Sequence, residues 1–171
     1  MPKKTDSNKR QSILVDTLFS HPMGAVEGFT FDSSVAAVFP DMIQRSVPGY
    51  STVVGISGVL AQRFSQPATR LYDLGCSLGA TSFSMAQSAA AGCKLIAVDN
   101  STAMLDQLST ILSQQTLPTA ITLVNDDINS ILIDNASVVA LNYTLQFIPV
   151  EQRASLLSKI QQGMVPGGVL L

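Results

Sequence analysis

The sequence is poor in charge: Lys, Arg, Asp and Glu together make up 13% of its 171 residues, with no tryptophan, one histidine and two cysteines. Each shortage excludes something. A chain that is 46% hydrophobic and so weakly charged lacks the signature of disorder, which joins low hydrophobicity to high net charge. Cys76 and Cys93 form no metal-ligand spacing, and no metal site is expected. Two unpaired thiols suit a reducing cytoplasm. No apolar run reaches the roughly 20 residues that span a bilayer, and no secretory cleavage pattern follows the basic start, so no membrane partner is expected. The single histidine, His21, has no carboxylate partner nearby in sequence and reads as solvent-facing or packed. Neither a Ser/His/Asp set nor carboxylates paired for hydrolysis can be assembled, and no catalytic residue is assigned.

What charge there is lies unevenly. Lys3, Lys4, Lys9 and Arg10 stand against Asp6 alone in the first fifteen residues, while the rest holds six basic and eleven acidic residues, six minus eleven giving −5. An acidic body is a poor holder of nucleic-acid phosphates, and no direct nucleic-acid partner is expected. A mean hydropathy of +0.31 implies more apolar surface than a soluble monomer shows, to be covered by a partner or by further fold.

The pattern divides the chain into a mobile tail over 1–15, a helical cap over 16–69 and an α/β domain over 70–171. Helical spacing runs from Asp32 to Phe64, interrupted at Pro40 and at Pro48-Gly49. Within Tyr50–Phe64 it puts Val53, Val54, Ser57, Leu60, Ala61 and Phe64 on one face. From Arg70 short apolar runs alternate with helical stretches. Strands are expected at Leu71–Leu74, Leu95–Val98, Ile121–Val124 and Val138–Leu141. Helices are expected from about Ala80 to Ala91 with Gly92 as C-terminal cap, from a Ser101 cap to about Gln115, and from Val150 to Gln161 burying Leu156, Leu157 and Ile160. Pro166-Gly-Gly168 then turns into Val169–Leu171, which reads as a fifth strand cut short. This alternation implies a Rossmann-like parallel sheet flanked by helices, its strands solid apolar runs covered on both faces.

The strongest local feature is Asp73-Leu-Gly-Cys-Ser-Leu-Gly79, after a strand and opening a helix. Glycine there admits positive φ and close approach of a ligand to backbone. Asp99 closes the next strand, where a carboxylate accepts hydrogen bonds from ribose hydroxyls. The dinucleotide fingerprint G-x-G-x-x-G fails, since its three places hold Gly75, Ser77 and Ala80. Asp73 suits a ligand with an amino group better than a diphosphate, which favours S-adenosyl-L-methionine. An ordinary βα turn capped by Asp73 remains the alternative. Asp127 and Ile128, after the third strand, are placed to meet an adenine edge, or Asp127 merely caps a turn. Asn142 ends the fourth strand, where a sulfonium is expected, or caps a loop. Cys76 reads as a small packed residue whose backbone matters.

Several segments resemble the carboxy-S-adenosyl-L-methionine synthases: Asp16-Thr-Leu-Phe19, Phe31-Asp32, Val38-Phe-Pro-Asp-Met-Ile-Gln-Arg-Ser-Val-Pro-Gly-Tyr50, Tyr72-Asp-Leu-Gly-Cys-Ser-Leu-Gly-Ala80, Asp99-Asn-Ser101, and Leu141-Asn142 with Thr144-Leu-Gln-Phe147. The resemblance implies a class I methyltransferase fold, a homodimer, and an unusual reaction. Prephenate loses carbon dioxide and water to give phenylpyruvate. The carbon dioxide is captured on the methyl carbon of S-adenosyl-L-methionine, reacting as a sulfonium ylide. The product serves a separate transferase that modifies the wobble uridine of tRNA. It places ligand contacts at Tyr50, Gly75, Cys76, Ser77, Asp99, Asn100, Asp127, Ile128 and Asn142. The family continues past the length of this chain through further strands and an arginine that grips the added carboxylate, so this chain is expected to be a partial form. An ordinary methyltransferase and a non-catalytic S-adenosyl-L-methionine-binding protein are the rival readings.

Overall fold

The computed structural model describes residues 33–171. Helices α1 (Ser33–Ser46) and α2 (Tyr50–Phe64) precede β1 (Arg70–Leu74), α3 (Ala80–Ser88), β2 (Lys94–Asp99), α4 (Thr102–Leu112), β3 (Ile121–Asn125), β4 (Ala136–Ala140), α5 (Val150–Gly163) and β5 (Met164–Leu170). The five strands form one sheet in the order β3-β2-β1-β4-β5. Every pairing is parallel.

Successive strand residues point to opposite faces, and this splits the core in two. Leu71, Leu95, Ala97, Val138 and Ala140 meet α2, α3 and α4 through Ala61, Met85, Ala86, Leu105 and Leu108. Tyr72, Leu74, Val98, Val139 and Leu141 meet α5 through Leu156 and Ile160 on the other face. A third cluster sets Val35, Ala36 and Phe39 of α1 against Met104 of α4. The helical face read in α2 turns inward, with Ser57, Gly58 and Ala61 buried. Ser101 caps α4 by accepting from the Met104 N–H at 3.2 Å.

Some expectations are corrected. Helix α1 runs through Pro40, because Phe39 before it and Met42 and Ile43 after it pack on one cluster. Helix α3 stops at Ser88, and Ala89 is its extended cap. Gly92 instead supplies φ +76° to the turn before β2. Leu157 is 38% exposed, since only Leu156 and Ile160 face the sheet. The edge strands are half-open: Thr122 and Asn125 of β3 and Leu170 of β5 are exposed, whereas β1 and β4 expose no residue. Pro166-Gly-Gly168 lies inside β5, where the register slips between Ala136↔Met164 and Val138↔Val169. Proline is tolerated there because the strand is an edge. The reading of His21, the tail over 1–15 and residues 16–32 of the cap lie outside the described residues.

Among the described residues no helix is long and apolar enough to cross a membrane.

Candidate functional site

In this strand order the connections leave β1 in opposite directions, so the carboxyl ends of β1 and β4 face a crevice where ligands bind in open α/β sheets. The loop from β1 to α3 is bent there by three positive φ angles, +80° at Gly75, +49° at Ser77 and +79° at Gly79. Gly75 and Cys76 both donate their N–H to the Val98 carbonyl, at 2.8 and 2.9 Å. The Asp99 carboxylate accepts from the Ser77 N–H at 2.8 Å and from the Ser101 N–H at 2.9 Å. The loop is thereby stitched to the end of β2. Gly75 is required for a second reason: a Cβ there would collide with the Thr144 side chain.

Around this loop lies a cavity of about 880 Å³. Tyr50, Asp73, Gly75, Cys76, Ser77, Asp99, Asn100, Asp127, Ile128 and Asn142 all line it, so the structure brings together the residues that the sequence reading assigned to the ligand. Phe39, Met42, Ile43 and Val47, from α1 and the turn after it, give it one apolar wall. Tyr50 opens α2, and its ring sits 5.9 Å from that of Tyr143, tilted by 35°.

The electrostatics are one-sided. Four carboxylates, Asp73, Asp99, Asp126 and Asp127, line the cavity, and among the described residues no lysine or arginine does. Asp73 is buried, and desolvation raises its pKa to about 6 despite the 2.6 Å hydrogen bond it accepts from the Ser82 hydroxyl. Burial also raises the Asp99 pKa against its two backbone donors. The Tyr50 hydroxyl is pushed up by burial and then by the Asp73 charge, so it stays a donor at neutral pH. Burial drives the Cys76 thiol far above its usual range, which leaves it no thiolate chemistry.

Asp127 does the turn-capping work its alternative foresaw: its Oδ1 accepts from the Asn129 N–H at 2.8 Å. The Lys159 ammonium holds the same loop from α5, donating to the Ile128 and Ile131 carbonyls at 2.8 and 3.1 Å. Arg45, which the sequence placed near Tyr50, does not line the cavity; it reaches back to Asp41 at 3.1 Å. Tyr143 and Thr144 were missed. Tyr143 carries φ +58°, and Thr144 packs on Gly75 from far along the chain. Only the contact reveals their part.

Residues 71–168 match the sequence profile of the family described as "Methyltransferase domain". The chain belongs to that family. The chain is 52% identical over 157 residues to the carboxy-S-adenosyl-L-methionine synthases of Enterobacter sp. (strain 638) and of Vibrio parahaemolyticus. Those matches take in 91% of this chain and 64% of each relative, so the chain spans slightly less than two-thirds of their length. A solved structure from Methanococcus maripaludis, described as an S-adenosyl-L-methionine-dependent methyltransferase, superposes with a TM-score of 0.61 at 21% identity, over 80% of this chain and 62% of its own. The fold is therefore the Rossmann-like class I methyltransferase fold.

Proposed function

We propose that the cavity binds S-adenosyl-L-methionine as a substrate and that the chain serves the synthesis of carboxy-S-adenosyl-L-methionine. The observation that carries this reading is the 52% identity to synthases of that name over 91% of the chain, whose fold gathers the cavity-lining residues discussed above. The donor set fits the ligand. A cavity lined by four carboxylates suits a sulfonium and an ammonium group, and would repel a diphosphate. Asp99 keeps a lone pair on each oxygen beyond its two backbone donors, enough for a ribose diol. In this reading Asp73 and Asn142 serve the methionine end, Asp127 and Ile128 the adenine.

In the proposed reaction the carbon dioxide lost from prephenate forms a carbon–carbon bond to the methyl carbon of S-adenosyl-L-methionine. The displaced methyl proton leaves with the prephenate hydroxyl as water, and phenylpyruvate is the second product. The chain's own part is to orient the sulfonium and to exclude water behind the apolar wall of α1. The product would feed wobble-uridine modification of tRNA by a separate transferase. A cytoplasmic homodimer belongs to the same reading. It would cover Ile56 and Val59 of α2, which are 50% and 62% exposed. Residues 16–69 would act as the cap of a ligand-binding part over 70–171.

Mass spectrometry of nucleotide retained by the purified chain, and of its mixture with S-adenosyl-L-methionine and prephenate, tests the proposal. Carboxylated nucleotide is expected. Retention of unmodified S-adenosyl-L-methionine with no conversion would overturn the synthase reading in favour of methyl transfer or plain binding.

A further inference from the structure

Asn142 stands two residues past β4, lines the cavity, and is held from behind by two helices. Its Nδ2 donates to the Ser57 hydroxyl of α2 at 2.9 Å and to the Thr81 hydroxyl of α3 at 3.3 Å. Ser57 is 2% exposed and Thr81 8%. The Ser57 hydroxyl has a single proton, and it donates that proton to the Val53 carbonyl at 2.9 Å within its own helix. Toward Asn142 it can therefore only accept.

That fixes the amide. An asparagine side chain is nearly symmetric in shape, and only its hydrogen-bond partners decide which end faces which way. Here both amide hydrogens are drawn into the seam between α2 and α3, and no described residue donates to Oδ1. The group that Asn142 offers the cavity is its carbonyl oxygen.

We infer that Ser57 is a positioning residue that locks the Asn142 amide with its oxygen toward the ligand, so that the site favours a sulfonium over the neutral thioether left when the sulfonium loses a carbon. With the lock broken, the amide can rotate and present its positive NH2 edge, which repels the sulfonium and leaves the thioether indifferent. The inference rests on the S-adenosyl-L-methionine reading and deepens it by naming what sets charge selectivity. Ser57 belongs to no stretch that sequence reasoning tied to the ligand; it looked like one more position on an inward helical face.

The test is calorimetric affinity for S-adenosyl-L-methionine and for S-adenosylhomocysteine, measured on the unaltered chain and on Ser57→Ala, Asn142→Ala and the double variant. Ser57→Ala is expected to weaken the sulfonium ligand about five- to ten-fold, the worth of one hydrogen bond, and the thioether less than about twofold. In the Asn142→Ala background, adding Ser57→Ala should change nothing further, because the hydroxyl acts through the amide. A folded Ser57→Ala with an unchanged ratio of affinities, or effects that simply add, would overturn the inference and return Ser57 to a packing role. If Ser57→Ala does not fold, Thr81→Ala loosens the same amide from the other helix and must lower the same ratio. An unaltered chain that binds neither ligand overturns the binding reading itself, and with it the inference.

Discussion

The Asp99 carboxylate accepts the Ser77 backbone N–H at 2.8 Å, so the acidic end of β2 and the glycine loop are one hydrogen-bonded piece. Asp99 thus both shapes the loop and faces the cavity. A charge-assisted hydrogen bond is worth about 1.5–3 kcal/mol, so Asp99→Ala should weaken S-adenosyl-L-methionine by about ten-fold or more. Calorimetry on a variant whose circular dichroism is unchanged checks this. Unaltered affinity would remove Asp99 from the site.

Asp73 makes the chain less stable as pH rises. Its folded pKa of about 6 lies above the ordinary value of 3.8, so between those values the folded state holds a proton that the unfolded state has released. Stability from this group is full below about pH 4 and is lost as pH rises through about 6. The difference of 6 minus 3.8 corresponds to about 3 kcal/mol. Asp73→Asn should therefore raise urea stability at about pH 7.5 by about 1–3 kcal/mol and flatten its pH dependence, while weakening ligand binding. A variant no more stable than the parent under those conditions would contradict this.

Two glycines of the same helix should respond with opposite sign. A Cβ on Gly55 meets nothing within 4 Å, so Gly55→Ala should stabilise by up to about 1 kcal/mol, the ordinary helix preference. A Cβ on Gly58 would stand 2.9 Å from the Ser84 carbonyl oxygen, and backbone cannot step aside. Gly58→Ala should destabilise by about 1–3 kcal/mol. Thermal unfolding of the pair decides it, and equal shifts would mean that α2 and α3 are not in this contact.

On the proposed reading, Tyr50 would tell one nucleotide from another. Its hydroxyl is a donor held protonated by burial, in the wall of a cavity that has no described cation. Tyr50→Phe should reduce affinity for the carboxylated ligand more than for S-adenosyl-L-methionine, by about 0.5–1.5 kcal/mol. Equal losses would confine Tyr50 to the shared nucleoside, and no loss would make it a packing residue.

The parts legible in the sequence are those with a local cause. Helix α2 begins at Tyr50 and ends at Phe64 as its periodicity indicates, because one inward face runs its whole length. The glycine loop is legible because a strand, a tight bend and a helix start are adjacent in the chain. Where a distant contact decides, the sequence is silent. Proline reads as a break at Pro40, yet packing on both sides carries the helix through. Pro166-Gly-Gly168 reads as a turn, yet the partner strand β4 absorbs it as a slip in register. Thr144 against Gly75, and Ser57 behind Asn142, join residues with no pattern between them.

If the cavity takes the nucleotide proposed for it, its one-sided charge would also govern the traffic through it. Carboxylates gathered in a cleft focus their field into the solvent, which draws a cationic nucleotide inward faster than free diffusion would deliver it. Added salt should slow this capture, since the field beyond about 10 Å is screened at about 0.1 M, and should leave escape from the filled cavity nearly untouched. A nucleotide whose charge has been cancelled by a new carboxylate gains nothing from that field. On the proposed reading, the cleft would hasten the substrate in and have no comparable hold on the product going out.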